Sequence, residues 1–220
     1  MIKQEGFYGL VSKCLHFKVP VVILMIFVSH INVIAQNADI NILKKINNSD
    51  VSSGTYKSMR FITNSTTLIS VAVPVGLLAT GLIEGNPVMK RKAVFMLESL
   101  VVTEGITYVL KYTVNRSRPF VTYPFIVQKS DGGSPSFPSG HTSFAFGMAT
   151  SLSIAYPRWY VIVPSMIYAS SVGYSRMYLG VHYPSDVLAG ALVGAGSSVL
   201  TYKVNKWLHH SSHKSLSVTW

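Results

Sequence analysis

Residues 66–83 read TTLISVAVPVGLLATGLI, eighteen positions without a charge, and the run stops at Glu84-Gly85-Asn86-Pro87. A stretch of this length, coiled as a helix, approaches the thickness of a bilayer's hydrocarbon core, and the tetrapeptide after it is a turn signal. Four further runs have the same character: Ala93–Leu110, Ser143–Tyr156, Trp159–Tyr174 and Val187–Tyr202. They predict an all-α, polytopic transmembrane helical bundle of about five core spans. Composition agrees. Only 12% of the 220 residues are charged and 49% are apolar, whereas soluble domains carry about 25% charge. So few charges cannot cover a soluble surface, and disorder is excluded by the same numbers. The single cysteine, Cys14, rules out an intramolecular disulfide and a cysteine-rich metal site.

The net charge is +11. The lysines and arginines sit between apolar runs rather than along a polar stripe, so a membrane and not a nucleic acid is the expected partner. Residues 1–35 read as a secretory signal peptide or an uncleaved signal anchor. Lys3, Lys13 and Lys18 precede the apolar run Val19–Ala35, and Val33 and Ala35 suit a cleavage site, which favours removal. Residues 36–64 are expected as an amphipathic leader, with Ile40, Leu43 and Ile46 at helical spacing for a membrane surface. Residues 65–207 form the membrane domain, and 208–220 a basic cytoplasmic tail. His209, His210 and His213 in that tail read as solvated rather than metal-binding.

Positively charged loops stay in the cytoplasm. Lys90-Arg91-Lys92, Arg158 and the group Lys203, Lys206 and Lys214 all fall on one side of the five runs. The segments Lys111–His141 and Ser175–Asp186 then face away from it, toward the periplasm or cell exterior, from a multi-pass protein of the inner membrane.

Those two outward segments hold three clusters: Lys111 with Arg118-Pro119, Pro138-Ser139-Gly140-His141, and Ser175-Arg176 with His182 and Asp186. Lys111, Arg118 and Arg176 would repel one another unless an anion sat among them, and an arginine offers a planar fork to phosphate oxygens. Ser139 and Gly140 precede a helix, where free N–H groups attract anions, with Pro138 suited to its first turn. His182 and Asp186, four apart, share a helical face. The carboxylate can fix the imidazole tautomer and leave the other nitrogen bare as a nucleophile on phosphorus. His141 can protonate the leaving oxygen and then activate water.

At these residues the chain resembles the type 2 phosphatidic acid phosphatase superfamily, over about residues 60–205. The resemblance implies a helical bundle with its site at the ends of the core helices, and hydrolysis of a phosphomonoester or diphosphate without a metal; no cofactor is expected. It implies that Lys111, Arg118, Ser139, Gly140 and Arg176 bind phosphate, that His182 is the nucleophile, His141 the acid and Asp186 the orienting carboxylate. The expected substrate is a lipid phosphate or polyprenyl diphosphate. Lipid A and a glycerophospholipid phosphate are alternatives, and a non-catalytic lipid-phosphate binder or transporter is the reading from another class. Glu98 and Glu104, inside an apolar run, are candidates for a place behind the site or for interior packing. Asp131-Gly132-Gly133 could serve a lid.

Overall fold

The computed structural model describes residues 35–47 and 52–212. The chain divides into two compact units, Met1–Asp39 and Ile40–Trp220. The expectations for a signal or anchor segment and for the end of the histidine tail lie outside the described residues. Among the described residues all regular structure is helical: α1 Ala35–Asn47, α2 Ser53–Ile83, α3 Pro87–Val114, the single turn α4 Pro119–Thr122, α5 Gly140–Ala155, α6 Trp159–Tyr178 and α7 Pro184–Ser212.

Local chemistry sets the boundaries. Ser52 caps α2 by accepting from the N–H of Thr55 at 3.3 Å. That helix ends at Ile83, and Gly85 just beyond it turns the chain with a φ of 67° that suits glycine. Asn86 then caps α3, its Oδ1 accepting from Val88 and Met89 N–H at 3.1 Å each, with Pro87 in the first turn. α2 therefore begins at Ser53, ahead of the apolar stretch, because the Ser52 cap starts it there.

Among the described residues three segments, Ser53–Ile83, Pro87–Thr122 and Pro184–Leu208, are long and apolar enough to cross a membrane. Their outward faces are apolar: Leu68 is 71% exposed, Ile83 86% and Val101 73%. The interior is the reverse, lined by alanine, glycine and hydroxyl residues. Helices in lipid gain nothing from burying leucine against leucine, so small residues and hydrogen bonds hold them together. α5 shows this best. Ser143, Ala145, Gly147, Ala149, Thr150 and Ser151 are all buried, and the helix packs against α2, α3, α6 and α7. At 16 residues it is shorter than its neighbours.

Gly190 and Gly194 bring α7 onto α5. A Cβ on Gly194 would overlap the Ser143 carbonyl and lie 2.6 Å from the Gly147 nitrogen; one on Gly190 would lie 2.7 Å from the Ser139 carbonyl. The Ser198 hydroxyl donates across the same crossing to the Gly147 carbonyl at 2.8 Å. Between α2 and α6, the Ser65 and Tyr168 hydroxyls share a hydrogen bond of 2.9 Å.

Up-and-down order puts the C-terminal ends of α3 and α6 beside the N-terminal ends of α5 and α7. The basic segments gather at the opposite end, where Lys92 lies over the Tyr156 ring at 4.2 Å. Glu98 accepts from the Asn205 amide at 2.5 Å in that half of the bundle. Glu98 and Glu104 are both exposed, so neither is interior packing, and Glu104 lies near enough to Lys111 to act on its charge.

From Ile40 onward, α1 does not leave its apolar face open to a membrane surface. Leu43 is fully buried against Ile126 and Tyr183, and Ile46 packs on Tyr178, Leu179 and Val181. The Asn47 side chain accepts from Val127 N–H at 2.8 Å and donates to the carbonyls of Val127 and Tyr178 at 3.0 and 3.1 Å. A period of 3.6 shows that a face is apolar; it does not show whether lipid or protein covers it.

Candidate active site

α3 stops just beyond Lys111 because Asn115 takes a left-handed conformation (φ 47°), its N–H returning to the Lys111 carbonyl at 2.9 Å. Asparagine tolerates that region better than most residues. The reversal sends Arg116 and Arg118 back across the bundle end. The Lys111 ammonium donates to the carbonyls of Pro135 and Pro138 at 2.8 and 2.9 Å. Arg118, 7% exposed, donates from Nε to the Ser134 carbonyl at 2.8 Å and from Nη1 to the Val181 carbonyl at 2.9 Å. Nη1 also stands 3.4 Å from Nε2 of His182. Loop carbonyls thus solvate two cations whose mutual repulsion would otherwise open the site.

Arg176 comes from the last turn of α6 and is 3% exposed. One guanidinium nitrogen donates to the Thr63 hydroxyl of α2 at 2.7 Å, while its buried Nε has no hydrogen-bond partner. A buried donor without a partner is costly, and an anion bound among these groups would satisfy it. Ser139 stands at the N-cap of α5, with Pro138 outside the helix and not in its first turn. The Ser139 hydroxyl accepts from Thr142 at 2.9 Å, and its N–H donates to the Asp186 carbonyl at 3.0 Å. Gly140 faces Lys111, whose Cε would be 3.6 Å from an added Cβ. Arg176, His182, Lys111 and Arg118 all lie near enough to His141 to act on its charge.

His182 sits in the turn between α6 and α7. Gly180 shapes that turn with a φ of 72°, and a Cβ there would overlap the Val127 carbonyl. His182 is 2% exposed and Asp186 fully buried. Nδ1 of His182 faces Oδ2 of Asp186 at 3.5 Å, an ion-pair separation longer than a good hydrogen bond; no other group partners Nδ1. Nε2 points toward Arg118. Burial pushes the imidazole down to about 4, against the opposing pull of Asp186. The ring is therefore neutral near pH 7, the state a nucleophile needs.

All eight residues picked from the sequence thus meet at one end of the bundle. In the 131–133 segment Gly132 is seated on Arg118: a Cβ there would come within 2.9 Å of the guanidinium. Thr63, Ser134 and Arg116 were missed. Thr63 and Ser134 carry no signal in the sequence. Arg116 lies inside the first cluster, and its charge so close to Arg118 was the signal to follow. No group of three or more His, Cys, Asp or Glu side chains that could hold a metal occurs among the described residues.

Apolar outward faces and an interior of small and hydroxyl residues define an integral membrane helical bundle, with Lys111, Arg118 and Arg176 gathered at one end. Residues 92–209 match the model of the PAP2 superfamily, and the chain belongs to that superfamily. It is 34% identical over 88 residues to a lipid A 4'-phosphatase of Bacteroides thetaiotaomicron, covering 40% of this chain and 39% of that protein. It is 36% identical over 107 residues to an undecaprenyl-diphosphatase of Sulfolobus acidocaldarius, covering 48% and 52%. The chain spans about half or less of the length of these curated relatives. The solved structure of LpxE from Aquifex aeolicus superposes with a TM-score of 0.63 at 28% identity, covering 76% of this chain and 95% of that one.

Proposed function

We propose that this chain is a metal-independent membrane phosphatase that removes phosphate from a lipid phosphate or polyprenyl diphosphate through a phosphohistidine at His182. The observation that carries the reading is the approach of Arg118 and Arg176 to an imidazole whose far nitrogen faces Asp186, with Lys111 near both arginines and His141. Nε2 of His182 attacks phosphorus in line with the leaving oxygen. Asp186 holds the Nδ1 proton and stabilises the charge that grows on the ring. Lys111, Arg118, Arg176, the Ser139 hydroxyl and the N–H of Gly140 neutralise the phosphoryl oxygens, which is where most of the rate gain of phosphoryl transfer arises. His141 gives its proton to the leaving oxygen, then takes one from the water that cleaves the P–N bond and releases inorganic phosphate.

The reading places five spans across the inner membrane with the site facing the periplasm or cell exterior, since the basic segments gather at the other end. It also takes residues 1–35 as a signal peptide or signal anchor, 65–207 as the membrane phosphatase domain and 208–220 as a cytoplasmic tail. A lipid suits a site at the bundle end, its headgroup reaching the cations while its chains stay in the bilayer. The names of relatives, a lipid A phosphatase and an undecaprenyl-diphosphatase, favour a lipid A phosphate or a polyprenyl diphosphate over a glycerophospholipid phosphate. The test is purified protein given each lipid in detergent, with chelator present. Release of phosphate from at least one is expected; no release from any, at any pH, ends the enzyme reading and leaves a binder or transporter.

Arg176→Lys is expected to lower kcat/KM by about 100-fold or more, because a point charge replaces a planar fork fixed by Thr63. Phosphate release measured against substrate concentration reads this, and near-normal turnover would reduce Arg176 to a packing role.

A further inference from the structure

Arg116 makes contacts that the phosphate clamp does not require. Its Nη1 donates to Oδ1 of Asp186 at 2.7 Å and to the Ser185 hydroxyl at 2.7 Å. Its guanidinium lies 3.9 Å over the Tyr183 ring. Each of these contacts lands on the turn Tyr183–Asp186 that follows His182. The backbone ties it elsewhere: the Arg116 carbonyl accepts from Ser136 N–H at 2.8 Å, in the loop before α5. Arg116 therefore joins the first motif to the third, while the loop that leads into the second is hydrogen-bonded to its backbone.

The two oxygens of Asp186 have separate duties. Oδ1 takes the arginine; Oδ2 takes the Tyr183 N–H at 3.0 Å and faces Nδ1 of His182 at 3.5 Å. The arginine is the closer partner by far. Without it the fully buried carboxylate would keep one backbone N–H and a distant imidazole, both on Oδ2, and with Oδ1 unpaired it would swing or take up a proton, since an unpaired charge in such a place is expensive. A charge-assisted bond from a fork stacked on an aromatic ring prevents both. A phosphate ligand would need its charge uncommitted, and here a carboxylate lies against it.

The geometry points to Arg116 as a positioning residue that pins Asp186 so that Oδ2 stays aimed at His182. It acts through Asp186 and does not hold substrate. This deepens the phosphatase reading and rests on it. Wild-type protein that releases no phosphate ends that reading, whereas an active wild type indifferent to Arg116 ends only this inference.

The test is a double-mutant cycle on the full chain, using the lipid on which the wild type is most active. Arg116→Gln should lower kcat about 10- to 100-fold with KM within about 3-fold of wild type, since the lost interaction serves the chemical step. In an Asp186→Asn background the same change should cost less than about 3-fold, because the group Arg116 acts through is already gone. Arg116→Lys should restore part of the rate by returning the charge without the fork. A raised KM with the full loss persisting in the Asp186→Asn background would make Arg116 a phosphate ligand and overturn the inference. Wild-type rates in both single variants would overturn it, as would failure of both to fold, which would assign Arg116 to stability.

Discussion

His182→Gln is expected to abolish turnover, with kcat lower by at least about 10⁴-fold, the scale on which loss of a catalytic nucleophile is felt. The amide is close in size to the imidazole and can still receive the Arg118 contact at 3.4 Å, so the clamp and the fold survive. What it lacks is a nitrogen lone pair able to form and later release a P–N bond. Lipid phosphate should still bind, and rapid quenching with labelled substrate should show acid-labile label on wild-type protein and none on the variant. Turnover within about 10-fold of wild type would remove His182 from the mechanism and favour a site that binds without reacting. The pH behaviour is a second reading of the same residue. The imidazole sits near 4, pushed down by burial, from an ordinary value of about 6.5. Lowering the pH protonates the ring and removes the nucleophile, so that loss is centred near pH 4. NMR of the ring carbons should show a group that stays neutral through pH 6.5, and a midpoint at 6.5 would contradict the burial argument.

Asp186→Asn should come next, with kcat lower by about 10³- to 10⁴-fold and KM little changed, by analogy with a triad carboxylate whose amide sets the wrong tautomer. The structure explains why an amide cannot substitute. Donors face both carboxylate oxygens: Arg116 on Oδ1, and Tyr183 N–H and the imidazole on Oδ2. An amide has one acceptor and one NH₂ group. Whichever way it is turned, a donor is set against a donor, and the turn holding His182 shifts or the imidazole changes tautomer. Steady-state kinetics beside a thermal melt separates the two effects, since the chemical loss exceeds anything a modest drop in melting temperature explains. A rate equal to wild type would take Asp186 out of the mechanism.

Much of this was legible in residue order because membrane helices and ion chemistry both write short-range signals. The uncharged run 66–83 and the turn Glu84-Gly85-Asn86-Pro87 declared a helix and its end. The three clusters declared their partnership because three cations, two imidazoles and one carboxylate have few joint uses. Helix starts were less visible. α2 begins at Ser53, where a cap decides, and hydropathy does not register a cap.

What residue order could not decide was which group touches which. Nothing in the series Lys111 to Arg118 says that Arg118 leans on His182 while Arg116 leans on Asp186. That division follows from the left-handed turn at Asn115 and from the landing of α7 on α5 through its glycines. Nor could it say that Leu43 and Asn47 of α1 hold the Val127 and Tyr178 segments, since the apolar face of a short helix looks the same whether lipid or protein covers it. Side-chain chemistry along the chain determined what kind of site this is. Packing alone determined how its charges are shared, because pairwise contacts between distant segments depend on interhelical distance, which no local pattern encodes.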